Sequence, residues 1–300
     1  MSQILVGTSS WADHSLVESG LFYPPEVKTP AGRLRYYSEK FPIAEIDSSY
    51  HFFPTRQNLA LWLDNTPPGF VFDVRAFSMF TGHPTQPASL PRSIREEHEE
   101  LANHTGNLYL HHLPADVAER LWEVFASLVR IVEEAGKLGV LLFQFPPWFH
   151  LNKENFDYLV TCREHFPSYR LAVEFRTGGW LSADNLEATL NFLRQHQLAL
   201  VCVDEPQGLK TSVPNVTEVT SAVGVVRFHG RNAENWEKKG ITAEERFNYL
   251  YTEDELRAWL PEISRMAGQS DKIHVIFKNK SHDFAVRNAR QFTEILEKSA

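Results

Sequence analysis

The chain has 300 residues, 43% of them hydrophobic and 23% charged, with a formal net charge of −8. That length holds one large α/β barrel with inserted loops, and the apolar share suffices for a packed core. The acidic balance argues against a protein that grips polyanions non-specifically, because such binding rests on Lys and Arg neutralising phosphates.

Short β-branched or aromatic runs alternate with amphipathic helical stretches along the chain. Strands are expected at 4–9, 43–49, 70–76, 139–145, 171–176, 198–204, 223–230 and 273–279. The clearest helix is 115–135, where Leu121, Phe125, Leu128 and Val132 fall at helical spacing and Gly136 supplies a stop. Helices are also expected at 184–196, 253–266 and 283–297, with Asp184 and Asp283 as N-caps. The crossover at 205–222 contains Pro206, Gly208 and Pro214 and shows no helix. Alternation of this kind gives parallel strands with crossovers. Eight strands without a Gly-x-Gly-x-x-Gly fingerprint favour a closed parallel (β/α)₈ TIM barrel over an open doubly wound sheet, with the whole chain, 1–300, as one domain.

Two connections are long. Residues 77–113, after the third strand, carry His83, His98, His104, His111 and His112, with a short helix expected at 93–102. Residues 231–252, after the seventh, are rich in charge and aromatics. Long loops in compact domains are often functional. Cys162 and Cys202 lie far apart in apolar segments, so no disulfide framework is expected. Residues 1–11 lack the basic start and cleavage site of a signal peptide, and no apolar run reaches the roughly 18 residues of a membrane span. A cytoplasmic protein without a membrane partner is the expectation.

Buried barrel strands are apolar on both faces, so polar residues within them carry information. Alternate strand residues share a face. On that parity Glu45, Asp47 and Ser49 fall together, as do Asp73 and Arg75, Glu174 and Arg176, and Arg227 and His229. Gln144, Asp204, Lys278 and Asn279 stand at the ends of their strands. Most lie in the C-terminal half of a strand, the end where TIM barrels place their sites. A ring of ion pairs would produce the same pattern, since acids and bases nearly balance.

The motifs Gly7-Thr8-Ser9-Ser10-Trp11, Glu45-Ile46-Asp47-Ser48-Ser49-Tyr50, Gln144-Phe145-Pro146-Pro147, Glu174-Phe175-Arg176 and Arg227-Phe228-His229-Gly230-Arg231-Asn232 are joined by Trp236, Tyr249-Leu250-Tyr251 and Asn288-Ala289. In this order they resemble the YecE-like proteins, an uncharacterised family, from Gly7 to about Asn288. The resemblance implies a TIM barrel similar to those of endonuclease IV and the sugar isomerases, and with it nucleic-acid binding as a fold-level analogy. The chain departs from that pattern at Lys278, where the family has Asn, and at Arg75, where it has Lys.

The chemistry follows from residue type. Arg75, Arg176, Arg227 and Arg231 form a fork-shaped donor set suited to phosphate or carboxylate. Glu174 and His229 are the expected acid–base pair of a hydrolase acting on a small, anionic, phosphate-bearing or nucleic-acid-derived substrate. Glu45, Asp47 and Asp204 are further catalytic candidates. Gln144 and Asn279 are expected to orient the substrate, Trp11, Tyr50, Trp148, Trp180 and Trp236 to stack on sugar rings or bases, and Tyr249 and Lys278 are further substrate-binding candidates. A carbohydrate-active barrel pairing Glu174 with Glu45 or Asp47 is the second reading. A non-catalytic nucleic-acid binder, its groove formed by the two long loops, is the third. No cofactor is expected. With one strand-end histidine, His229, the acids suit Mg²⁺ or Mn²⁺ better than zinc.

Overall fold

The computed structural model describes residues 2–299. Eight parallel strands close into a barrel in sequence order: β1 Gln3–Thr8, β2 Ile43–Ile46, β3 Val71–Arg75, β4 Leu138–Gln144, β5 Leu171–Glu174, β6 Leu198–Asp204, β7 Val223–Phe228 and β8 Lys272–Phe277. The chain is thus a closed (β/α)₈ barrel. Leu5, Ile43, Val71 and Ile276 form a small apolar cluster of their own, apart from the main core. That larger core joins outward strand faces to helices such as Ala115–Glu134, which buries Leu121, Trp122, Phe125, Leu128 and Val132. Each such side chain contributes about 1.5–3 kcal/mol when fully buried. Gly136, at φ +67°, ends that helix as its sequence position requires.

Several expected boundaries move. β2 stops at Ile46, and Asp47–Tyr50 turns into a 3₁₀ helix. Strand parity therefore does not reach Ser49, whose Oγ lies 2.6 Å from the Arg75 carbonyl and ties the turn to β3. The stretch 253–266 is two helices, Glu253–Arg257 and Leu260–Ala267, and 93–102 is likewise two, Arg92–Glu97 and Glu99–Ala102. Asp184 does not cap its helix. Asn185 holds the N-cap position, and its side chain donates to the Gly179 carbonyl instead. The 205–222 crossover has no helix, as expected. Thr220 serves β6 there: its hydroxyl accepts from Leu200 N (2.7 Å) and donates to Leu198 O (2.6 Å), pairing backbone groups that precede the β6–β7 ladder.

One irregularity shapes the barrel interior. Register slips between β3 and β4, with Phe72 opposite Leu138 and Val74 opposite Leu141. The Asp73 carboxylate accepts from the Val140 N–H at 2.9 Å, the donor the bulge sets free. His274 Nδ1 meets the same carboxylate at 2.9 Å. Gly139 makes room for the pair: a Cβ there would stand 2.2 Å from Asp73 Oδ1. Asp73 is thereby a scaffold residue below the barrel mouth, although parity groups it with Arg75.

Candidate functional site at the barrel mouth

The barrel mouth brings eleven of the predicted site residues together in two tiers. The inner tier centres on Arg227, whose side chain is 0% exposed. Its Nη2 donates to Glu45 Oε1 at 2.7 Å, and its Nη1 donates to Glu174 Oε2 and, at 3.2 Å, to Gln144 Oε1. Two acids share one guanidinium and do not ionise alike. Burial pushes Glu45 upward and outweighs Arg227. Burial acts on Glu174 too, but Arg227 and His229 hold it well below the usual carboxylate range. A carboxylate can only accept, so His229 donates Nε2–H to Glu174 Oε1 at 3.0 Å. Burial, against the pull of Glu174, lowers His229 to about 3, so its ring is neutral. Its Nδ1 is then an acceptor without a partner among the described residues.

The outer tier has more positive than negative charge. Asp47 faces three cations: Arg75 Nη1 at 2.6 Å, Lys278 Nζ at 3.4 Å and Lys280 Nζ at 3.6 Å. Asp13 takes part of the Lys280 charge at 3.1 Å. Burial would raise Asp47, but Lys278, Arg75 and Lys280 together set it well below its ordinary value. Lys278 pays the complementary cost: burial and then Arg75 lower it to about 7, against the pull of Asp47. The Tyr50 ring lies 3.8 Å from the Arg75 guanidinium carbon. Across the mouth, Arg176 reaches Glu205 at 2.9 Å and Glu174 at 3.4 Å, and rests on the face of Trp236. Trp236 belongs to the 231–252 loop, which also packs Phe247 near His229.

A family model described as "Protein of unknown function DUF72" matches residues 5–300. The chain belongs to the DUF72 family. The UPF0759 protein YunF of Bacillus subtilis (strain 168) is 32% identical over 298 residues, covering 98% of this chain and 95% of its own length. The crystal structure of a DUF72 family protein from Enterococcus faecalis V583 matches with a TM-score of 0.78 at 26% identity, covering 98% of this chain and 96% of that one. One from Thermotoga maritima MSB8 matches with a TM-score of 0.75 at 30% identity, covering 98% and 99%. The resemblance drawn from the motifs thus holds at the level of an uncharacterised family with this barrel.

Other predicted site residues of this DUF72 protein lie elsewhere. Asp204 points into the helix layer, where every acceptor position is taken: Arg231 grips it through two bonds of 2.8 and 2.5 Å, and Tyr251 and Trp259 each donate at 2.7 Å. Asp204 and Arg231 therefore satisfy each other away from the mouth. Trp11 packs edge-on against Trp62 and Phe72. Trp180 is wholly buried, stacked on Phe175 and Phe149. Tyr249 gives its hydroxyl to Glu255 at 2.6 Å. Asn279 donates to Tyr249 O and Asn288 Oδ1, so it braces the 249–251 segment. These six hold the frame.

Four residues were not singled out from the sequence as site residues: Glu205, Lys280, His83 and His274. Glu205 and Lys280 follow Asp204 and Lys278 by one and two residues, just beyond their strands. His83, from the 77–113 loop, lies between Tyr50 (5.3 Å) and Trp148 (5.8 Å). Burial and the charges of Arg75, Arg176 and Lys278 lower it to about 3. Among the described residues no group of three or more His, Cys, Asp or Glu side chains is arranged to hold a metal ion. No helix among them is long and apolar enough to cross a membrane.

Proposed function

We propose that the barrel mouth binds a small phosphate-bearing anion and that the protein is a hydrolase acting on it. One observation carries the reading: a single carboxylate, Asp47, pairs with both Arg75 and Lys278 and also shares Lys280 with Asp13. Cations gathered at low dielectric with too little countercharge are stabilised by an incoming anion. Arg75, Arg176 and Lys278 are the proposed donors. Arg227, closed to water, and Arg231, turned toward Asp204 and Glu255, give up that role. In the hydrolytic step water attacks phosphorus and the P–O ester bond breaks. His229 Nδ1 takes the water proton and returns it to the leaving oxygen, while Glu174 keeps the ring oriented.

The carbohydrate reading needs an open carboxylate pair. Glu45 and Glu174 are 1% and 0% exposed, and Arg227 spans both. The nucleic-acid reading gains little from a recessed mouth on a chain of charge −8. A thermal-shift panel of phosphate, phosphate esters, sugars and oligonucleotides separates the three. Stabilisation confined to phosphate compounds, and lost in Arg75→Gln, supports the proposal. No shift with any phosphate compound refutes it.

A further inference from the structure

Beside the mouth lies an aromatic cleft of about 480 Å³ between the 77–113 loop and the segment after β4, lined by Met79, Tyr109, Leu110, Trp148, Phe149 and Tyr158. Volumes of this size hold a small organic ligand. Trp148 is 55% exposed, unusual for so large an apolar side chain. It is nonetheless held in place. Its Nε1–H donates to the Gly82 carbonyl at 3.3 Å, and His83 packs against its ring at 5.8 Å. Its neighbour Phe149 stacks on Phe145 at 4.0 Å and accepts at its carbonyl from Trp180 Nε1 at 2.7 Å. A positioned indole face with one side in solvent is a stacking platform that loses little freedom on binding.

Two rings, Tyr50 and His83, link the cleft to the cation corner. Arg75 lies under Tyr50, Tyr50 touches His83, and His83 touches Trp148, so ring-to-ring contacts run unbroken from guanidinium to cleft. We infer that the cleft takes a planar ring and that the substrate is a phosphate ester of a heteroaromatic compound, of the nucleoside monophosphate class. The inference rests on the phosphate reading of the mouth and adds the other end of the molecule.

The test compares adenosine 5′-monophosphate, ribose 5-phosphate and inorganic phosphate by calorimetric titration of the full chain. The wild type is expected to bind the nucleotide roughly tenfold or more above ribose 5-phosphate, the range of one base stacked on an aromatic side chain. Trp148→Ala erases that preference and leaves ribose 5-phosphate binding as it was; Trp148→Phe keeps most of it. Equal binding of the two esters by the wild type, or a preference that survives Trp148→Ala, overturns the ring site while the phosphate site stands. If neither ester nor phosphate binds, both readings fall together.

Discussion

Arg227 and Glu45 meet at 2.7 Å across the barrel, Nη2 to Oε1, with both side chains closed to water. The same guanidinium holds Glu174, so Arg227 is the keystone of the inner tier. Arg227→Met would strand two buried carboxyls. Removing one partner of a buried ion pair costs about 3–5 kcal/mol. Urea denaturation is expected to show a loss of that order. A loss below about 1 kcal/mol would mean that the acids find other partners or water.

Lys278 gives a pH signature. It titrates at about 7 in the folded chain instead of 10.5. Below pH 7 both folded and unfolded states hold the proton, and the folded state bears the full cost of a buried charge. Between 7 and 10.5 the unfolded state binds more protons, so this contribution to stability rises with pH. Lys278→Met is therefore expected to raise the Tm of the ligand-free protein at pH 6, with a gain that shrinks as pH climbs toward 10. Asp47 keeps Arg75 and Lys280 in that variant. A Tm that falls at pH 6 would show that Lys278 stabilises the mouth.

Asp204 separates frame from site. Asp204→Ala removes the acceptor of Arg231, Tyr251 and Trp259 together. Each hydrogen bond to a charged group contributes about 1.5–3 kcal/mol, so a loss of several kcal/mol is expected on denaturation. Phosphate is still expected to stabilise the folded variant. Loss of that response with stability intact would place Asp204 in the site.

Gly139 tests the interior pair. A methyl group there meets Asp73 Oδ1 at 2.2 Å and His274 Cε1 at 2.9 Å, both in packed surroundings. Gly139→Ala is expected to destabilise by about 1–3 kcal/mol, the usual cost of overpacking. Calorimetric melting would show it, and an unchanged Tm would mean that the bulge is looser than its hydrogen bond to Val140 implies.

The barrel was legible because buried parallel strands are apolar runs that few other structures produce. Glu45, Gln144, Glu174, Arg227 and His229 were legible because charge or amide inside such a run must find a partner. Parity alone assigns two faces and does not say which is inward. Parity therefore does not separate Asp204, which faces the helices, from the mouth, and Arg231, beyond the end of β7, has no strand parity at all. Parity also fails beyond a strand's end, as at Ser49, or across a bulge, as between Leu138 and Leu141. His274 sits in the half of β8 remote from the mouth, and its partner Asp73 comes from β3, 201 positions away. His83 meets Tyr50 only through the path of the 77–113 loop, which no periodicity records. Trp11 and Trp180 look like ring-binding residues in sequence, yet aromatics serve core and surface alike.

The sharing of Asp47 among Arg75, Lys278 and Lys280 is tested most directly by calorimetric titration of inorganic phosphate at low ionic strength and pH 6, where Lys278 is charged. The wild type is expected to bind one phosphate per chain, with affinity falling as pH passes 7 and binding lost in a folded Arg75→Gln variant. No saturable binding by the wild type at pH 6, or equal binding by Arg75→Gln, would contradict the account.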